Sequence, residues 1–527
     1  MRLRSVLVVV LMLLIVSVGQ AQDGAVNRIV YGLSFEPSGF DPHRNASAEL
    51  GIPLRMVYDT LVYRDPATGQ FVPGLAESWE VSADGLVYTF RLKQGVVFHD
   101  GTTFNAAAVA ANFDRILSPD TASQKAIFML GTYAGYEVMD DFTIRLLLAQ
   151  PYSPLLDSLA QVYLGMASRA AFGAYSVERY QFHQVGTGPY EMVEYITGDR
   201  LVLRRSPNYA WGPGFYQPPA QGAIEEIEFR FYTDVSTRAL ALEAGDVQVI
   251  GEIAPTDARA LATVADLQLE QVAIPGQPLQ FLMNTTRYPT NNRDVRQALL
   301  FGTNREAIVD AVFQRFSPVA WGPIGASTAY YSAQVVGSYG FDSVQARALL
   351  EGAGFVDTDS NGYYDAEGGD LEVQVVVPPW GLIPQVAQLM EDQWRTIGVR
   401  AILNSVPTRA ALFEAVATGE YNLVAWYEFG ADPAFLSNYF SSNGAFNWTG
   451  YANPNLDSLL VQAASTLDEN ARATLYAQIQ VQIMQEALIL PIRDYVNING
   501  ISNQVMNLSF DNYGWFPLLV NASLVSG

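Results

Sequence analysis

Residues 57–104, VYDTLVYRDPATGQFVPGLAESWEVSADGLVYTFRLKQGVVFHDGTTF, decide the fold class. From Leu86 the residues alternate, with Leu86, Tyr88, Phe90 and Leu92 on one face and Val87, Thr89, Arg91 and Lys93 on the other. That is the period of a half-buried strand. Ser82-Ala83-Asp84-Gly85 ahead of it supplies turn chemistry, and Gly85 is free to take positive φ, so residues 79–81 are expected to pair back as a hairpin. A second tight turn follows at His99-Asp100-Gly101. Beyond it Val109, Phe113, Ile116 and Leu117 recur at helical spacing, with Thr103 or Asn105 placed to cap the helix. The stretch reads as β-rich scaffold, not as a catalytic motif.

The alternation of strand and helix continues outward from there. Residues 227–232 (IEFRFY) alternate as a strand, and residues 239–247 read as a short helix ended by Gly245 and returning to strand. WGPGFYQPPAQ, residues 211–221, is loop, and AIPGQPLQ at 273–280 is expected to be a crossing between units of the chain. A chain of 527 residues exceeds what one core supports, so several mixed α/β units are expected.

Composition removes whole classes of function. With 53 acidic against 30 basic residues and a net charge of −23, the chain lacks the clustered cations that a phosphate backbone demands, so no nucleic-acid partner is expected. Only Lys93 and Lys125 are lysines. The absence of cysteine excludes disulfides, thiolate metal sites and cysteine nucleophiles. Aromatic residues reach 12%, with 28 tyrosines and 8 tryptophans, which serves large cores, an aromatic-lined cleft, or both. Arg2 and Arg4, an apolar run over 6–18 and then Gly19-Gln20-Ala21 form a secretory leader expected to be cleaved after Ala21. The competing reading, a membrane anchor, needs roughly 20 apolar residues, and this run is shorter.

Enzyme signatures are missing: no G-x-S-x-G, H-E-x-x-H, G-x-x-x-x-G-K or G-x-G-x-x-G occurs. His43, His99 and His183 stand in separate turn-like contexts, where surface or turn-capping roles are expected. No catalytic residue, metal site or cofactor is therefore assigned, although paired carboxylates for glycan hydrolysis stay open on sequence. Asp357, Asp359, Asn361 and Asp365, with Gly362 at the sixth position, match the start of a calcium loop. The match stops at Gly368, where a glutamate belongs, so structural calcium and a solvated acidic turn both remain open.

Pro73-Gly74-Leu75-Ala76-Glu77-Ser78-Trp79, the hairpin, and Val97-Phe98-His99-Asp100-Gly101 together resemble the signature region of bacterial extracellular solute-binding proteins of family 5. These proteins serve peptide, nickel and oligosaccharide ABC importers. The resemblance extends through Ser34-Phe35-Glu36-Pro37, Asp41-Pro42-His43 and Gly186-Thr187-Gly188-Pro189-Tyr190. It continues through Asn284, Asp294-Val295-Arg296-Gln297-Ala298-Leu299, Asn304-Arg305-Glu306, residues 394–398 and Gly430-Ala431-Asp432-Pro433, in the family's order. It implies an α/β, two-lobed periplasmic-binding-protein fold, type II with an extra subdomain, joined by a hinge.

The implied boundaries are a leader at 1–21, a first lobe from 22–54, 191–277 and 494–527, its extra subdomain at 55–190, and a second lobe at 278–493. The implied function is capture of a peptide-like solute and its delivery to ABC permease subunits by a periplasmic or secreted monomer. An oligosaccharide ligand and a secreted peptide or glycan hydrolase are the alternatives. The family's lipid-anchor cysteine is absent. Asp432 matches the aspartate that holds a peptide's ammonium in relatives, while its position before Pro433 also suits a helix N-cap. Residues 376–384 carry no arginine for a dipeptide carboxylate, and Trp380 there offers a stacking face instead. Trp426, Tyr427, Thr187, Gly188, Phe35 and Phe40 complete the residues expected to face the cleft.

Overall fold

The computed structural model describes residues 26–34 and 36–525; the leader and Phe35 lie outside the described residues. Two large sheets organise the chain, each with its own hydrophobic core. The first has seven strands in the order Leu267–Ala273, Val496–Ser502, Val249–Ile250, Arg28–Leu33, Glu226–Phe231, Arg200–Arg205, Tyr190–Ile196. Its centre is parallel, because Arg28–Leu33 runs with both Glu226–Phe231 and Val249–Ile250. The second has five strands in the order Arg400–Ser405, Glu372–Val377, Leu423–Trp426, Leu279–Met283, Ile489–Arg493. There Glu372–Val377 is parallel to both of its neighbours. The chain passes from the first sheet to the second over residues 274–278 and returns over 494–495.

A four-stranded antiparallel sheet rides on the first lobe and contains the hairpin. Ala76–Val81 pairs with Val87–Leu92, Trp79 opposite Phe90, and Gly85 takes φ 71° in the turn. Tyr88, Phe90 and Leu92 are buried, as the alternation requires. Asn105 caps Ala106–Leu117 by accepting from the Ala108 N–H, and Val109, Phe113 and Ile116 face the core. Leu117 ends that helix exposed.

Alternation in Glu226–Phe231 is read on both faces. Ile227 and Phe229 enter the core, while Glu226 and Glu228 on the opposite face are also buried because Arg28 pairs with both. Arg230 adds a bond to Glu228 at 2.6 Å. Buried carboxylates persist only where cations meet them, so this polar face is closed over by arginine.

The two lobes are closed on each other. The backbone N–H and hydroxyl of Ser153 both donate to the Ala464 carbonyl at 2.9 Å, and Ala431 of the second lobe packs into the first-lobe core.

Candidate functional site

In open α/β sheets, ligands gather outside the carboxyl ends of parallel strands. Here those ends converge from both lobes. Arg28–Leu33 delivers Ser34, Val249–Ile250 delivers Gly251 and Glu252, Glu372–Val377 leads to Trp380, and Leu423–Trp426 delivers Tyr427, Glu428 and Phe429. The Ser34 hydroxyl donates to Glu252 at 2.5 Å. Glu252 sits at φ 52° and Leu382 at φ 62°, left-handed conformations costly for side-chain-bearing residues and concentrated where binding loops need them. Glu252 is held there from both sides: its N–H donates to Asn497 Oδ1 at 2.8 Å, and its carbonyl accepts from Arg238 at 3.0 Å.

Aromatic rings link the walls. Tyr427 lies 4.5 Å from Tyr495, Phe429 lies 4.9 Å from Tyr495, and Phe429 meets Trp515 of the first lobe at 5.5 Å, centroid to centroid. Trp380 is half-buried against the second-lobe core. Around this junction several buried polar atoms have no protein partner among the described residues. They are the hydroxyls of Tyr31 and Tyr495, Trp515 Nε1, Asn499 Oδ1 and both amide ends of Gln277. An unmet buried polar group costs about 1–3 kcal/mol, so their concentration suits a place where a polar solute completes the bonding.

The same space collects charge. Burial pushes the Glu428 carboxyl up, and the Tyr439 hydroxyl donates to it at 2.6 Å. Burial and the neighbouring Glu252 push Glu49 up. Lys125, from the first lobe, is lowered to about 8 by burial, with Glu428 and Glu49 pulling the other way. Lys125, Glu49, Glu252 and Glu428 belong to no motif; the one sequence signal was that Lys125 is one of two lysines.

Most of the residues expected from sequence are placed in packing instead. Asp432 is held bidentately by Arg472 at 2.9 and 3.0 Å, both side chains buried, so the cation it meets lies within the protein. It also caps Pro433–Phe435 by accepting from the Ala434 N–H. Trp426 donates to the Tyr439 hydroxyl at 2.7 Å and packs on Trp448 in the second-lobe core. Thr187 is buried and donates to Asp59 at 3.0 Å; Tyr63, Tyr209 and Trp211 donate to the same carboxylate. A Cβ on Gly188 would sit 2.5 Å from the Met56 carbonyl, so that glycine serves backbone packing. Phe40 is fully buried between Tyr195 and Phe231. Among the described residues of the set, Tyr427 and Trp380 stand beside the aromatic contacts of the junction, and Asp432 lies at the lobe boundary near Tyr152 and Asp157 of the first lobe; Phe35 lies outside the described residues.

The histidines are more enclosed than surface turns would be. His43 is buried, bonding the Gly165 carbonyl at 2.8 Å and accepting from Arg115 at Nδ1, and burial lowers it to about 4. His99 bonds the Gly188 carbonyl, and His183 stacks on Tyr175. In the acidic turn, Asn361 bonds Asp359 and Asp370, Asp365 accepts from Thr358, and Arg400 pairs with Asp370. Among the described residues no group of three or more histidines or carboxylates is arranged to hold a metal ion, and no helix is long and apolar enough to cross a membrane.

Residues 70–448 match the family model described as bacterial extracellular solute-binding proteins, family 5 Middle. The glutathione-binding protein GsiB of Salmonella typhimurium is 32% identical over 431 residues, 79% of each chain. Among solved structures, NikA from Brucella suis in complex with Fe(III)-EDTA superposes with a TM-score of 0.83 at 25% identity, covering 94% of this chain and 100% of that one. HbpA2 from Haemophilus parasuis gives 0.82 at 26%, covering 95% and 100%.

Proposed function

From the premise that the chain belongs to the bacterial extracellular solute-binding proteins of family 5, and so captures a peptide-like solute for an ABC importer, we propose that its solute is a short peptide of glutathione size. The observation that carries this reading is the set of buried polar atoms without protein partners beside the aromatic junction of the two lobes. Such a lining suits a small polar zwitterion better than an apolar or polymeric ligand. Residues Tyr427 and Trp380 supply the aromatic wall, and Glu252 the strained loop beneath it. A leader cleaved after Ala21, export as a monomer and absence of turnover are part of the same proposal. Capture needs no bond made or broken: a solute touching both lobes stabilises the closed state by its differential affinity.

Titration calorimetry of the purified protein with glutathione, a dipeptide, a pentapeptide and a trisaccharide tests the reading. Binding of glutathione or the dipeptide, recovered intact, is expected. Binding of the trisaccharide alone, or hydrolysis of a peptide, would overturn it.

A further inference from the structure

The chain crosses between the lobes twice, and one segment of the second lobe holds both crossings. It spans residues 317–328 and follows the helix Arg305–Phe313. On the outgoing passage the Gly276 N–H donates to Thr328 Oγ1 at 2.8 Å, and the same hydroxyl donates back to the Gly276 carbonyl at 3.2 Å. That carbonyl also accepts from the Gly325 N–H at 2.8 Å. On the returning passage the Asp494 N–H donates to the Pro318 carbonyl at 3.0 Å, and the Asp494 carboxylate accepts from the Ala326 N–H at 3.0 Å. The Ser317 hydroxyl accepts from Arg493 at 3.0 Å. Ser317, Thr328, Arg493 and Asp494 are all buried, which strengthens these bonds and keeps water from replacing them.

The second lobe grips the outgoing passage from its other side as well. Gly430 donates to the Pro275 carbonyl at 3.0 Å, and Gln277 donates to the Glu428 carbonyl at 2.7 Å. Gly276 sits between them at φ 136°, where a Cβ would lie 2.3 Å from the Glu428 carbonyl oxygen. On the side of the first lobe, the pairing of Leu267–Ala273 with Val496–Ser502 ends with Ala273 opposite Val496. Pro275 has its φ fixed by its ring and its carbonyl held. One residue of each passage is left between the two gripped regions, Ile274 and Tyr495. They are joined to each other, the Ile274 N–H donating to the Tyr495 carbonyl at 2.9 Å.

We propose that bending between the lobes is confined to the Ile274–Tyr495 pair, and that Thr328 is a positioning residue that keeps it there. A hinge absorbs rotation in the φ and ψ of a few residues. The grip on Gly276 and Asp494 denies that rotation to their part of each passage, so the lobes swing as rigid bodies about one paired pivot, whatever solute lies between them.

Amide hydrogen exchange of the full chain, without solute, tests the pivot. The Gly276, Gln277 and Asp494 amides are expected to exchange as slowly as those of Leu279–Met283, and the Ile274 amide roughly tenfold faster or more. Protection at Ile274 equal to theirs, or rapid exchange at Gly276 or Asp494, overturns the assignment. Thr328→Val keeps the side-chain shape and loses both bonds to Gly276. It is expected to speed exchange at Gly325 and Asp494 about tenfold while Leu279–Met283 stays unchanged, and Thr328→Ser, which retains the hydroxyl, is expected to restore protection. A merely structural loss would speed all of these amides together. That uniform result, or no change at Gly325 and Asp494, removes Thr328 from the hinge; should Thr328→Val fail to fold, exchange in the wild type alone decides the pivot.

Discussion

A single aspartate shows how sequence position and chemical role come apart. Asp432 precedes a proline, which promises a cap, and by the family resemblance it is expected to meet a ligand's ammonium. The cap is present, and Arg472 from Glu469–Gln485 supplies the cation. Asp432→Asn leaves that buried guanidinium unpaired, so a loss of about 3–5 kcal/mol in unfolding free energy is expected by denaturant titration. Glutathione affinity of the folded fraction should move less than tenfold. The opposite pattern, intact stability with lost affinity, would return Asp432 to solute contact. Motif identity was legible here because it lies along the chain. The Arg472 partner was not, since it comes from a helix 40 residues away that carries no cue to its facing side. Lys125 is the mirror case, visible in composition yet brought over the Tyr163 ring only by folding.

Elements were read more securely than sites, because their signals are local. The hairpin, its Gly85 turn and the Asn105 cap follow from alternation and capping chemistry within a few residues. The Gly186-Thr187-Gly188 crossing was seen as a pattern but understood only in space. A Cβ at Gly186 would lie 2.0 Å from the Val57 carbonyl, and Thr187 between the two glycines anchors Asp59. The crossing locks the extra subdomain to the strand that follows, Tyr190–Ile196. Gly188→Ala is expected to cost about 1–3 kcal/mol through overpacking, with glutathione affinity unchanged at temperatures where the variant is folded. A variant as stable as wild type in thermal melts would contradict the close-packing account. Buried Glu226 and Glu228 mark the limit of pattern reading: alternation shows that the strand has two faces, and the arginines that meet these carboxylates in space, Arg28 and Arg230, show why the polar face is dry.

At the scale of the whole molecule, two passages of chain connect two cores, and contacts beside and beyond those passages hold the halves together. The Ser153 grip on the Ala464 carbonyl and the seating of Ala431 in the first-lobe core are features of the closed arrangement. A solute that favours this state stabilises it by about 2.7 kcal/mol at a hundredfold excess over its Kd. Small-angle scattering is therefore expected to show a smaller radius of gyration at saturating glutathione than without it. Identical profiles would mean that the lobes close without a solute, and that binding is not coupled to closure.

The Ser153–Ala464 contact also has a practical use. A chain free of sulfhydryls accepts a donor dye beside one partner and an acceptor beside the other, with no background labelling. Energy transfer between them would turn the protein into an optical gauge, reporting the opening and shutting of individual molecules in real time.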